Sequence, residues 1–454
     1  MENKSKKLAM KEKLAYGLGD CSANVVTALV GTYLTAYYTD TVGIAAAAVG
    51  TMMLLARIFD GVTDIVMGVI VDKTSTRWGK ARPWLLWTAP FMAIALVLLF
   101  HVPSGMSDGG KLIYAYLTYI FQNCIVYTAN NLPYNALLSR MTLDVQDRAS
   151  TASTRFVMTQ ITNLIVTSLT ATLMGTVGWH WLSIIYGIVT CILLIISFLG
   201  TKEHIGEDIE SGEVKLEKVP VKEALAALVK NKYFFMQTAL FCVLYMGAVG
   251  SGALQFYFCD NILGNVQIIT LVSMASTLAA AAVNLILPVF VKRFGKRKMM
   301  MIGCVSMGFG SFVIGSMQHS IPAIMVGTAF KGLGIGVLSS SIFALTADIV
   351  DYGEWKTGVR SEGVVNSCTS FGMKVGIGLG SALGAWILEF GGYVGTAEKQ
   401  TQSALDAIGF GFGYMGVIVA ALCLVLCIML NVDKHIKQIQ EDLEAKHSKN
   451  AAEA

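Results

Sequence analysis

The chain has 454 residues, of which 54% are hydrophobic and only 14% charged, with a formal net charge of +4. An ordinary soluble domain carries about 25% charged residues, and a soluble fold of this length has no interior large enough to hide so much apolar surface. Lipid must take the remainder, and so small a net charge does not suggest a nucleic-acid binder.

The first 13 residues are short and basic, with Lys4, Lys6, Lys7, Lys11 and Lys13, and a long apolar stretch follows them. A cleavable leader has a shorter core and a small-residue cleavage site, so this stretch reads as a retained first helix. A membrane crossing needs about 20 apolar residues. About twelve such spans are expected along the chain, near 14–38, 45–70, 83–102, 112–139, 153–177, 181–200, 233–258, 267–291, 299–317, 321–347, 362–390 and 407–431. This predicts an all-α membrane protein with two six-helix halves, residues 1–200 and 233–432. The polar segment 201–232 joins them as a cytoplasmic linker, and 433–454 forms a cytoplasmic tail.

The basic residues test this layout. Of the 34 Lys and Arg, 28 fall on the side of the N-terminus and only Lys111 and Lys399 on the other, while Arg57, Arg155, Lys331 and Lys374 lie inside spans. The positive-inside rule therefore places both termini in the cytoplasm of a cell-membrane protein. The halves also echo each other. Arg77-Trp78-Gly79-Lys80-Ala81-Arg82 follows the second span, and Arg293-Phe294-Gly295-Lys296-Arg297-Lys298 follows the eighth. Repeated halves of like orientation belong to transporters that rock about a central site.

Charges inside apolar spans are costly unless paired or wet. In the second span Asp60 and Asp64 are four residues apart, hence on one helix face and about 6 Å apart between Cβ atoms. Two carboxylates that close share a proton or hold a cation such as Na⁺, and Thr63 adds a neutral oxygen. Arg57 offers a plainer alternative, neutralising Asp60 as a structural pair. In the eleventh span Gly372, Gly376, Gly380 and Gly384 form a smooth stripe for close packing. Lys374 points away from that stripe, either into a cavity or snorkelling to the interface. The fourth span ends in Tyr127-Thr128-Ala129-Asn130-Asn131-Leu132-Pro133-Tyr134-Asn135. Pro133 is expected to weaken the helix there and free backbone carbonyls. Tyr127, Asn131 and Asn135 share one side and supply the amides and flat apolar face that a sugar requires. Asn24 and Arg155 are candidates to join them, although Arg155 is equally readable as a boundary charge.

Several chemistries find no support. Gly79-Lys80 and Gly295-Lys296 are followed by Ala81 and Arg297, so no phosphate-binding Gly-Lys-Ser/Thr loop is formed. The six histidines fall at span ends, loops or tails, and no catalytic constellation is visible. The nine cysteines lie mostly singly in apolar runs, as small core residues rather than a disulfide framework or zinc site. No enzyme activity, cofactor or obligate protein partner is expected.

The pattern resembles the glycoside–pentoside–hexuronide:cation symporters, a branch of the major facilitator superfamily. The resemblance runs from Tyr16-Gly17-Leu18-Gly19-Asp20 to the twelfth span, and four stretches carry it: Tyr37-Tyr38-Thr39-Asp40, Ala56 to Asp64, Arg77 to Pro83, and Asn131-Leu132-Pro133-Tyr134. The most specific string is Ala347-Asp348-Ile349-Val350-Asp351-Tyr352-Gly353-Glu354-Trp355-Lys356-Thr357-Gly358. The resemblance implies a symporter driven by Na⁺, H⁺ or Li⁺, with Asp60, Thr63, Asp64 and Thr128 at the cation site. It implies that Lys374 links the halves near that site, and that Asn24, Asn131, Asn135 and Arg155 contact sugar. Asn24 and Asn131 stand where the family's melibiose carriers have aspartates, and the pattern looks closer to the glucuronide and xyloside carriers. That substitution shifts the expected charge balance toward positive, so that Arg155 could hold a uronate carboxylate or, failing that, sugar hydroxyls. A lysolipid carrier on a related fold and a non-transporting sugar sensor are the alternatives. The Asn residues disfavour the first and the short linker and tail the second.

Overall fold

The computed structural model describes residues 8–142, 144–204, 228–358, 362–397, 399–432, 436, 438–439 and 441–443. Most of the expected linker and tail lies outside the described residues. Those described form two compact units. The first takes its residues from Met1–Val214, Gly264–Thr270 and Leu388–Ala404, and the second from Lys215–Leu263, Leu271–Ile387 and Leu405–Ala454.

In the first unit the helices are α1 (Met10–Ala36), α2 (Ala46–Lys73), α3 (Arg82–Leu99), α4 (Asp108–Ile120), α5 (Tyr127–Met141) and α6 (Val145–Gly200). A π-helical turn, Tyr37–Val42, ends α1, and another, Phe121–Val126, joins α4 to α5. Gly178 interrupts α6 with φ 78° and ψ 158°, a conformation that suits glycine. The chain folds back there, since the hydroxyls of Thr170 and Tyr186 meet at 2.9 Å across the two arms. That break is the expected boundary between the fifth and sixth spans.

Among the described residues, eight helical stretches are long and apolar enough to cross a bilayer. One of them, Ser150–Gly200, makes two crossings because of Gly178. The other expected spans are α1, α2 and the α4–α5 rod. Their charges and amides are what distinguish them from the rest: Asp20 in α1, Arg57, Asp60 and Asp64 in α2, and Asn130 and Asn131 in α5. The polar spans are thus concentrated in the first unit. Among the described residues there is no β-strand beyond an isolated bridge between Thr76 and Gly79.

The second unit contains α7 (Lys232–Tyr257), α8 (Ile268–Phe294), α9 (Lys296–Ser316), α10 (Ile321–Thr357), α11 (Glu362–Phe390), α12 (Gln402–Gly409) and α13 (Met415–Met429). Its core interleaves Phe241 and Leu244 of α7, Cys304 of α9, Leu338 and Ile342 of α10, and Cys423 and Cys427 of α13. Glycines bring backbones together: a Cβ on Gly376 would lie 2.4 Å from the Cys242 carbonyl, and one on Gly380 2.5 Å from that of Met246. The stripe on α11 is therefore a seam against α7, as expected. On α9, Ile302, Val305, Phe309 and Phe312 form an exposed apolar face suited to lipid.

The repeat between the halves extends beyond the basic loops. Gly79 and Gly295, the central glycines of those loops, both have positive φ, 109° and 84°. π-Helical turns end both α1 and α7, at Tyr37-Tyr38-Thr39-Asp40 and Tyr257-Phe258-Cys259-Asp260. That second correspondence is an aromatic pair followed two residues later by Asp, and it was legible in the sequence but small.

The first basic loop is organised by a residue that composition hides, Glu203. Its carboxylate accepts hydrogen bonds from the backbone N–H groups of Lys80, Ala81 and Arg82 at 3.1, 2.8 and 2.8 Å, which caps the start of α3. Gly79 is needed because a Cβ there would lie 2.3 Å from the Glu203 carboxyl carbon. Glu203→Ala leaves those N–H groups without their acceptor, a loss of about 1–3 kcal/mol. Its apparent Tm in detergent should fall by several degrees, with Glu203→Gln intermediate; an unchanged Tm would show the cap to be dispensable.

Candidate functional site

The carboxylates predicted in the second span lie on α2. Asp60 is buried, and its Oδ1 accepts a hydrogen bond of 2.9 Å from the hydroxyl of Thr128 on α5. Arg57 Nη1 lies 3.7 Å from the other carboxylate oxygen, one turn earlier on α2. Both expected features of Asp60 are therefore present, the arginine partner and a neutral oxygen from a neighbouring helix. Thr63 donates its hydroxyl to the Asp60 backbone carbonyl at 3.0 Å, which leaves its oxygen lone pairs free to accept or to ligate. Asp64 is half-buried one turn further along the same face.

The proposed sugar residues meet on α1, α5 and the first arm of α6. Asn135 donates to the side-chain oxygen of Asn131 at 3.2 Å and accepts 3.1 Å from Arg155 Nη1. Asn24 donates to the backbone carbonyl of Asp20 at 2.9 Å, and Thr27, further along α1, bonds the Tyr127 hydroxyl at 3.4 Å. Asn131, Asn135 and Arg155 thus form one hydrogen-bonded group, while Asn24 bonds its own helix and Tyr127 bonds Thr27. Pro133 lies inside α5 without ending it, and the irregular backbone is instead the π-helical turn just before Tyr127.

Arg155 has an acidic partner on α1. α6 begins at Val145, so Arg155 stands nearly three turns inside it, and its Nε lies 3.1 Å from Asp20 Oδ2. The shift of charge balance toward positive expected from Asn24 and Asn131 is offset here by the Asp20 carboxylate. Thr159, one turn further along α6, donates to the same Asp20 oxygen at 2.9 Å. Tyr16 accepts 3.3 Å from Arg155 Nη1, and its ring stacks on that of Tyr134 with centroids 4.6 Å apart. Arg155 itself sits over the Tyr134 ring at 5.7 Å. Asp20, Tyr16, Tyr134 and Thr159 were missed as site residues. The available signal was the spacing Tyr16, Asp20, Asn24, which is one face of α1 at four-residue intervals.

The glycines of that motif have a local cause. A Cβ on Gly17 would lie 2.5 Å from Met158 Sδ and 3.6 Å from the Cα of Arg155, so its absence lets α6 close on α1. A Cβ on Gly19 would lie 2.6 Å from the Tyr134 ring. In Tyr16-Gly17-Leu18-Gly19-Asp20, Tyr16 and Asp20 make the polar contacts and Gly17 and Gly19 leave space for the partner helices.

In the second unit Lys374 is half-buried on α11, off the glycine stripe by two positions. Lys331, which the sequence placed inside a span without a role, is buried and donates to Ser251 and to the Phe412 carbonyl, the latter at 3.3 Å. The distinctive string at the end of α10 is a staple. Asp348 pairs with Lys296 at 2.7 Å, the Ile349 carbonyl accepts from Asn231 at 2.9 Å, and Tyr352 packs edge-on against Tyr233 at 4.7 Å. It fixes the second basic loop and the start of α7, and Gly358 ends the helix at φ 74°.

Two helical units, many apolar crossings, and paired charges and amides concentrated in one unit define a multi-pass membrane transporter of the major facilitator fold. The family described as MFS/sugar transport protein matches residues 15–434, and the chain belongs to it. An isoprimeverose transporter of Lactiplantibacillus pentosus is 34% identical over 97% of this chain and 92% of its own length. A glucuronide carrier protein homolog of Escherichia coli (strain K12) is 32% identical over 97% of this chain and 96% of its own. In solved structures, the nucleoside transporter NupG shares the fold with a TM-score of 0.64 at 16% identity, covering 93% of this chain and 98% of that one.

The glycine seam offers a direct check on the packing. Gly376→Leu places atoms on the Cys242 carbonyl and should sharply reduce the amount of folded protein recovered from membranes. Gly252→Ala on α7, where a Cβ meets nothing within 4 Å, should leave recovery unchanged. Equal recovery of both variants would remove the seam from the packing scheme.

Proposed function

We propose that this protein is a cation-coupled symporter, importing a glycoside, pentoside or hexuronide by alternating access across the plasma membrane with both termini in the cytoplasm. The observation that carries this reading is the buried Asp60, held by Thr128 one turn from Asp64, in the same unit as a strip of amides and an arginine. A carboxylate pair in a span wants a cation, either a proton or Na⁺, to relieve its desolvation. Asp60, Thr63, Asp64 and Thr128 would supply the oxygens, with Arg57 limiting the negative charge. Asn24, Tyr127, Asn131, Asn135 and Arg155 would bind the sugar by hydrogen bonds and an aromatic face. The relatives that transport isoprimeverose and that are named for glucuronide support a sugar as cargo. The polar strip argues against a lipid.

α5 carries the coupling. Thr128, which holds Asp60, and Asn131, which begins the sugar strip, are three residues apart on one helix, so a change at the carboxylate is transmitted to the amides through rigid backbone. Sugar and cation affinities should then depend on each other reciprocally.

Asp60→Asn and Asp64→Asn should abolish cation-driven accumulation in vesicles while sugar binding survives in part, because the sugar groups lie on other helices. Full accumulation by the double variant would sink the assignment. Thr128→Val removes a hydrogen bond to a charged group, which is worth about 1.5–3 kcal/mol. It should weaken apparent cation affinity roughly tenfold or more, read from the cation dependence of uptake, with expression preserved.

Lys374 is proposed to make the second unit responsive to the cation. Lys374→Ala should flatten the cation dependence of sugar uptake more than it lowers the amount of protein in the membrane. An unaltered dependence would leave Lys374 a structural residue.

A further inference from the structure

Two histidines stand apart from the cation and sugar residues, at the ends of the third and sixth spans. We propose that His101 and His180 together bind a divalent transition metal such as Zn²⁺, Ni²⁺ or Cu²⁺, which ties the end of α3 to the second arm of α6. With both termini cytoplasmic, as proposed above, this site faces the outside of the cell.

The neighbours of the two histidines bring them together. α3 ends at Leu99, and the N–H of His101 closes the last turn on the Leu98 carbonyl at 3.3 Å. Gly178 breaks α6, and Trp179 and His180 follow it. The rings of Phe100 and Trp179 stack with centroids 5.8 Å apart and an interplanar angle of 21°. One residue further along each segment, the rings of His101 and His180 meet with centroids 4.5 Å apart. Tyr37 anchors the inner pair. Its ring lies 5.2 Å from that of Phe100 and 5.8 Å from that of Trp179, and its hydroxyl accepts from the Val102 N–H at 3.1 Å. Further along, Gly187 lets the second arm press on α3, since a Cβ there would lie 3.1 Å from the Ala93 carbonyl oxygen. Packing thus sets the backbone of both histidines, while both side chains are exposed.

Among the described residues neither ring spends its nitrogens on a hydrogen bond or an ion pair, so they stay available to a ligand. With metal–nitrogen bonds of about 2.0–2.1 Å, two ring nitrogens on one ion stand about 3.0–3.4 Å apart. Rings whose centroids are 4.5 Å apart reach that separation by rotating about their own side-chain bonds, which exposure permits. Imidazole suits Zn²⁺, Ni²⁺ and Cu²⁺, whereas Mg²⁺ and Ca²⁺ prefer oxygen, so the site selects the first group. Among the described residues no third His, Cys, Asp or Glu joins the pair, so water fills the other positions and the affinity is moderate. Both helices belong to the first unit, and an ion shared between them stabilises that unit. His180 also lies 5.8 Å from the ring of Trp181, which puts a fluorophore beside the ion.

The test uses the full chain purified in detergent without a polyhistidine tag. Zn²⁺ titrated into the wild type by calorimetry should bind with a dissociation constant in the micromolar range, and Mg²⁺ or Ca²⁺ in large excess should not compete. His101→Gln and His180→Gln keep a polar side chain at exposed positions, and each should weaken Zn²⁺ binding roughly tenfold or more. Zn²⁺ should raise the apparent Tm of the wild type and leave that of the double variant unchanged. Ni²⁺ or Cu²⁺ should quench tryptophan emission of the wild type, less in Trp181→Phe and least in the double variant. A wild type that binds Zn²⁺ no more tightly than the double variant overturns the proposal. So does wild-type affinity in either single variant, since a stack of two rings without metal would give that result. Neither outcome bears on the symport reading, because the pair lies outside the residues assigned to cation and sugar.

Discussion

The first unit is built around a charge that cannot stand alone in a membrane. Arg155, well inside α6, requires a counter-charge and acceptors for its donors, and α1 and α5 must come close enough to provide them. That requirement explains the glycines on α1 better than any turn or cap would. Gly17 admits α6 and Gly19 admits Tyr134, and only then can Asp20, Tyr16 and Asn135 reach the guanidinium. Three helices are drawn together by one ion pair and the hydrogen bonds around it. A transmembrane interface with no hydrophobic drive of its own needs such polar contacts together with close packing.

The second unit reaches compactness by a different route. Its helices approach through bare backbone, with Gly303 against Gly334, Gly310 against Gly327, and the α11 stripe against α7. Its buried cation, Lys331, is satisfied by a hydroxyl, a carbonyl and the face of Phe412 at 4.9 Å, and among the described residues no acid pairs with it. A shared topology with repeated basic loops and repeated π-helical turns thus supports two interiors of different chemistry. The buried Asp60 and the Asp20–Arg155 pair are in the first half, and the long glycine seams of α9, α10 and α11 are in the second.

What could be read from the sequence follows the strength of each physical signal. Apolar runs of about 20 residues are long-range and redundant, so the spans were legible, including the break near Gly178. The charges on α2 stood out because nothing polar surrounds them, and Asp60 is buried as a candidate site residue would be. Asp20 was overlooked because it falls in the first turns of a span that begins with charges, where an acid looks like part of the boundary. Its consequence was large: without it Arg155 reads as a free cation. Glu203 was lost for the same reason, placed in a polar linker by composition although its side chain is 5% exposed and caps α3. Partners across helices set the role of a boundary charge, and spacing along one helix cannot reveal them.

The irregular stretch on the fourth span shows why position matters more than residue type. Pro133 was expected to weaken the helix; α5 runs through it, and the departure from α-helix is the π-helical turn at Phe121–Val126. A π-turn carries one extra residue, which rotates everything beyond it relative to a straight helix. Thr128 and Asn131 stand in the segment between that turn and the proline, where the backbone hydrogen-bond ladder is perturbed at both ends. Under the symport reading, this is the piece of chain that faces Asp60 on one side and the Asn135–Arg155–Asp20 strip on the other. A segment bounded by two weak points shifts as a unit more readily than a continuous helix does. Cation and sugar would thus be coupled through the short helical turn that holds a ligand for each.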